Sequence, residues 1–100
     1  MVRHIVLWNF NDNMTPEEKK SAGEKMRSLL EPIKDKVPGA LDIRVVLNQL
    51  DSSNRDVALI STFETVEALQ TYQTHPDHVA AGGYVRSVTC NRSCMDYECE

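Results

Sequence analysis

Apolar residues recur along this chain with two different periods, and the alternation between them lays out the fold. Residues 2–10 alternate strictly, with His4, Val6, Trp8 and Phe10 on one face and Arg3, Ile5, Leu7 and Asn9 on the other. Both faces carry apolar side chains, so both are expected to be covered. Asn11-Asp12-Asn13 is a turn signal. Thr15, Pro16 and Glu18 then form a helix start: a capping hydroxyl, a proline where its missing N–H costs nothing, and a carboxylate three residues after the cap. Ala22, Met26, Leu29, Leu30, Ile33 and Val37 follow at helical spacing. Pro32 is expected to kink or end the regular part before Pro38-Gly39.

Residues 41–50 return to alternation, Leu41, Ile43, Val45 and Leu47 against Asp42, Arg44, Val46 and Asn48, and predict a second strand. A polar connection over residues 51–55 leads to a third strand near 56–63, where Val57, Leu59 and Phe63 oppose Ala58 and Ile60. Thr65 is placed to cap a second helix, with Glu67 in its first turn and Val66 and Leu69 turned inward. Pro76 disfavours α geometry at His75, so the helix carrying Tyr72 is expected to stop there, with a short second turn setting His78 beside it. Gly82-Gly83 is expected to end the helical region before a long last strand from about Tyr84 to Tyr97. The order β-α-β-β-α-β is that of a ferredoxin-like α+β sandwich, with helices on one side of a four-stranded sheet. Its other face is left bare, which predicts a homodimer.

A length of 100 residues predicts one domain over 1–100, and 41 % hydrophobic with 26 % charged residues is an ordinary globular composition. A formal net charge of −4 without any basic run argues against nucleic acid as a partner. No apolar stretch approaches the ~18 residues of a membrane span, and the N-terminal apolar run is too short for a signal peptide, so the cytoplasm is the expected compartment. Cys90, Cys94 and Cys99 show C-x3-C and C-x4-C spacing rather than the C-x2-C of a zinc knuckle. On an extended strand Cys90 and Cys94 would share a face with sulfurs roughly 13 Å apart. Reduced thiols, no metal and no cofactor are the expectation.

The candidate chemistry lies in residues 69–83, where Tyr72, His75 and His78 surround Pro76. A phenol and an imidazole brought together can serve as proton donor and acceptor near neutral pH. The alternative is structural: a histidine capping a helix and a tyrosine packed with its hydroxyl tied to backbone.

The segments His4-Ile-Val-Leu-Trp-Asn-Phe10, Pro38-Gly39, Asp56-Val-Ala-Leu-Ile-Ser-Thr-Phe-Glu64, Tyr72-Gln-Thr-His-Pro-Asp-His-Val79 and Arg92-Ser-Cys-Met-Asp-Tyr-Glu98 resemble, in order, the stress-responsive dimeric α/β-barrel (Dabb) domain. The resemblance implies the ferredoxin-like fold, two protomers joining their sheets into a dimeric α/β barrel, and a family of mixed activities. One kind of member is a plant polyketide cyclase that closes a linear polyketide without a cofactor. By that likeness His78 would be the general base, Tyr72 the donor that polarises a carbonyl, and His4 a third pocket group. Val6, Trp8, Val57 and His75 would complete the pocket, and Val57 stands where the cyclase has a further histidine, which points to a smaller or greasier ligand. Three classes stay open: a pocket for a small hydrophobic carbonyl compound or a cofactor-free cyclase or lyase; a non-catalytic stress-related dimer; and an oxygenase or haem-handling barrel, for which a clear axial ligand would be needed.

Overall fold

Thr15 begins the first helix through a complete capping box: its hydroxyl accepts the N–H of Glu18, and the Glu18 carboxylate accepts the N–H of Thr15. The computed structural model, which describes residues 1–99, runs β1 (Val2–Phe10), α1 (Pro16–Leu30), a 3-10 turn (Glu31–Lys36), β2 (Ala40–Val46), β3 (Val57–Phe63), α2 (Val66–Thr74), α3 (Pro76–Val88) and β4 (Thr89–Glu98). The α geometry of α1 gives way at Pro32 as expected, and the following 3-10 turn still buries Ile33. β2 stops at Val46, shorter than the alternation through residue 50 suggested, and Leu41 is exposed while Ile43 and Val45 are buried.

The strands form one antiparallel sheet in the order β2-β3-β1-β4. Val2, His4, Val6, Trp8 and Phe10 of β1 face the helices and are buried. Val57, Leu59, Ser61 and Phe63 of β3 lie beside them. Met26, Leu30 and Ile33 close the core from above, with Leu69, Tyr72, Ala81 and Val85 from α2 and α3. The opposite face carries Ile5, Leu7, Ala58, Ile60 and Val46, all partly exposed. No helix among the described residues is long and apolar enough to cross a membrane.

Four expectations are corrected. Val66 lies exposed at the start of α2, where Ala68 rather than Val66 joins Leu69 in the core. The segment after Pro76 is a full 13-residue helix, not a short turn, and it continues through Gly82-Gly83 to Val88. Each glycine costs about 1 kcal/mol against alanine in a helix, but Ala81 and Val85 on either side are buried, and Pro76 with the His75 cap starts the helix well. The last strand consequently begins at Thr89 rather than Tyr84. Cys90 and Cys94 do not share a face. The pairing of β1 with β4 slips between Leu7 and Asn9, and Asn91 adopts a φ of 56°, a bulge that inserts one residue. Cys94 pairs with Val6 on the helix side, whereas Cys90 pairs with Asn9 on the opposite side.

Candidate functional site

The break between α2 and α3 organises the site. Pro76 at the first position of α3 holds His75 extended, at φ −61° and ψ 137°, and this ends α2. His75 then caps α3, its Nδ1 accepting the Asp77 N–H at 3.1 Å. Within the first turn of α3, His78 comes round against Tyr72, with ring centroids 4.5 Å apart and planes at 58°.

Each of the two rings has one group left for chemistry. His78 Nδ1 lies 3.0 Å from the Gln73 carbonyl oxygen. A carbonyl only accepts, so Nδ1 carries the proton and Nε2 is the acceptor. Burial lowers the His78 pKa, against the raising effect of the Gln73 hydrogen bond, and the nearby His4, Arg92 and Arg86 charges lower it further. The imidazole is therefore neutral at pH 7, the form a base needs. Tyr72 is fully buried between Phe63, 5.2 Å away between centroids, and His78. Burial raises its pKa well above the ordinary phenol range, so the hydroxyl keeps its proton. That hydroxyl has no hydrogen-bond partner among the described residues, although leaving a buried hydroxyl unpaired costs about 1–3 kcal/mol.

His4 reaches the same region from β1, its ring edge-on to Tyr72 at 6.2 Å. It is 3 % exposed, and its Nδ1 is bound by the Asp96 carboxylate of β4. The His4–Asp96 and Val6–Cys94 pairings place Cys94 beside this contact, its Sγ 3.9 Å from His4 Nδ1. His4, Cys94 and Asp96 are the residues placed to hold a metal ion, their ligand atoms lying within 4.8 Å of one another.

Between the sheet and α3 lies a cavity of about 250 Å³. Val6, Trp8 and Leu59 supply its sheet side, and Leu30 and Val85 its apolar wall. His4 and His78 are its imidazoles, and Arg86 and Arg92 stand at its rim. Among the described residues no carboxylate lies within ion-pair distance of either arginine. A larger and more open groove of about 480 Å³ runs beside α1, lined by Lys20, Glu24 and Leu47. It contains no imidazole or phenol.

Of the residues singled out in the sequence, His4, His78, Val6 and Trp8 line the cavity. Tyr72 stands behind His78 rather than on the cavity wall, His75 is occupied as a helix cap, and Val57 is buried against a separate hollow beside Arg55. The sequence reading missed Gly82, Val85 and Arg86. They follow His78 at i+4, i+7 and i+8, one face of a helix, and the signal was hidden by reading Gly82-Gly83 as a helix end. Arg92 reaches the rim because of the bulge in β4, which pairing by simple alternation does not anticipate.

Residues 2–99 match the family model described as the Stress responsive A/B Barrel Domain. The chain is similar to a dimeric protein with a ferredoxin-like fold from Bacteroides fragilis, at 34 % identity and a TM-score of 0.88, over 97 % of this chain and 94 % of that one. It is also similar to a dimeric ferredoxin-like protein from Thermobifida fusca, at 25 % identity and a TM-score of 0.79, over 96 % and 88 % of the two chains. A cofactor-independent oxygenase from Streptomyces nogalater shares the fold at 12 % identity and a TM-score of 0.68, over 99 % and 92 %. No curated protein matches the sequence.

Proposed function

The chain belongs to the stress-responsive A/B barrel domain family, and from that footing we propose that it is a homodimer that binds a small apolar carbonyl compound between sheet and α3 and moves a proton on it without a cofactor. The observation that carries this reading is the Tyr72 hydroxyl: buried, protonated and without a partner among the described residues, against the neutral His78. A polar group left unsatisfied in a core is a cost that a bound carbonyl oxygen removes.

In this reading His78 Nε2 takes the proton from the carbon α to the carbonyl, and the His78 ring turns aside on binding so that the Tyr72 O–H behind it can donate to the carbonyl oxygen as it gains enolate charge. The enolate then regains the proton from the His78 imidazolium, or attacks a second carbonyl in the same molecule, where a carbon–carbon bond forms as the C=O π bond becomes an alkoxide that takes that proton. His4, held at Nδ1 by Asp96, is a fixed polar group of the pocket. A cavity of about 150 Å³ accepts benzene, so about 250 Å³ suits one ring with short substituents. Arg86 and Arg92 at the rim favour a ligand with an anionic end.

The homodimer rests on the partly apolar sheet face opposite the helices and on the relatives described as dimeric. The second reading, a binding pocket without turnover, is favoured by the place of Tyr72 behind His78 and off the cavity wall. One experiment separates them. A panel of small aryl ketones and 3-oxo acids is screened for an upward shift in Tm, since a ligand of the folded state alone stabilises it. Hits are then followed by NMR for exchange of the α-hydrogen with deuterated solvent. Exchange that is lost in His78→Gln supports proton transfer. Binding without exchange leaves the non-catalytic reading, and no binding removes both.

A further inference from the structure

We propose that His4, Cys94 and Asp96 form a three-ligand site for a borderline divalent transition metal, for which Zn²⁺ is the best fit, at the edge of the sheet. The C-x3-C and C-x4-C spacings keep the cysteines from sharing a metal with one another. The fold assembles a different set across two strands: the register pairs His4 with Asp96 and Val6 with Cys94, so the imidazole, thiol and carboxylate all project to the helix side.

The geometry is close to what such an ion demands. Cys94 Sγ lies 3.9 Å from His4 Nδ1 and 3.7 Å from Asp96 Oδ1. A tetrahedral ion about 2.3 Å from sulfur and about 2.0 Å from nitrogen and oxygen sets those edges at about 3.5 Å. The sulfur therefore has to move by only a few tenths of an ångström. The His4–Asp96 contact has to open so that the ion can sit between the two groups in place of their hydrogen bond.

The donor set selects the metal class. One thiolate, one imidazole and one carboxylate suit zinc and its cobalt surrogate, whereas magnesium and calcium prefer oxygen alone. Three protein ligands leave a fourth position open, which is the pattern of zinc sites that keep a water or take a substrate. His4 is buried while Cys94 and Asp96 are exposed on β4, so the site has one rigid ligand and an open approach from solvent. Burial and the Asp96 carboxylate raise the pKa of the Cys94 thiol against the lowering effect of Arg92, so the ion has to displace the thiol proton, and the Arg92 charge opposes that of the ion. The inference does not depend on the carbonyl-ligand reading, and its test uses no pocket ligand.

Cobalt(II) titrated into the reduced, chelator-stripped full chain reads the site through its spectrum. The expected result is saturation at one ion per chain with a thiolate-to-cobalt charge-transfer band, displaced by zinc. Cys94→Ser should abolish that band, while Cys90→Ser and Cys99→Ser should keep it. Asp96→Asn should weaken binding by about ten-fold or more. A band that survives Cys94→Ser, or no saturable binding, overturns the proposal. If Cys94→Ser fails to fold by circular dichroism, Asp96→Asn decides alone, and unchanged affinity overturns it.

Discussion

Tyr72 and His78 belong to different helices, yet their ring centroids are 4.5 Å apart, because the extended backbone of His75 before Pro76 turns the chain by one sharp step. The two rings are thus fixed by backbone geometry rather than by a bond between them. The Tyr72 hydroxyl makes no hydrogen bond among the described residues. Tyr72→Phe is therefore expected to leave stability unchanged or raise it by up to about 1 kcal/mol, as removal of an unpaired buried hydroxyl should. The same substitution should slow α-hydrogen exchange of a bound ketone by at least about ten-fold. Urea unfolding beside NMR exchange checks both, and a clear loss of stability would mean that the hydroxyl holds a structural water.

His78 gives a pH signature of definite sign. Its pKa is lower folded than unfolded, chiefly through burial. Above the ordinary histidine pKa of 6.5 neither state holds the proton and stability is at its full value. As pH falls below that point the unfolded chain takes up a proton that the folded chain refuses, so stability declines until the folded pKa is passed. Tm measured from pH 7.5 to 5 should therefore fall more steeply for the native chain than for His78→Gln. Equal slopes would show that burial does not act on this imidazole.

How much of this was legible in the sequence depends on which residues set each feature. β1 and the start of α1 were legible because alternation over Val2–Phe10 and the Thr15-Pro16-Glu18 signal are local and agree with the packing. α3 was not, because Gly82-Gly83 is locally a helix breaker and only the burial of Ala81 and Val85 overrides it. That one misreading hid Arg86 from the candidate site. The His4–Cys94–Asp96 cluster was out of reach for another reason. It depends on the pairing of the first strand with the last and on a bulge at Asn91, neither of which any single segment encodes.

Gly39 tests the turn that feeds β2. Its φ of +88° lies in the region that side chains rarely adopt, and an added Cβ would stand 2.8 Å from the Ala68 Cβ of α2. The Glu64 N–H also donates to the Gly39 carbonyl at 2.8 Å, so the turn is tied to the end of β3 and cannot easily relax. Gly39→Ala should cost about 2 kcal/mol or more from backbone strain and overlap. Chemical denaturation measures this directly. A cost near zero would show that α2 shifts freely away from the turn.

The homodimer is tested at the sheet face that the helices leave open. Ile5 is half-buried there and pairs with Ile60 of β3 on one side and Met95 of β4 on the other. Leu7 continues the strip beside Ala58. In a monomer this face meets water, and Ile5→Glu should then change stability little, since surface substitutions usually fall within about 0.5 kcal/mol. In a sheet-to-sheet dimer the same carboxylate enters a dry interface together with its symmetry mate, and an unpaired buried charge is very costly. The native chain is expected to elute as a dimer at micromolar concentration and Ile5→Glu as a monomer or an unfolded chain. Sedimentation equilibrium of both proteins decides the matter. A native chain that sediments as a monomer, with Ile5→Glu equally stable, would rule out the sheet-to-sheet dimer.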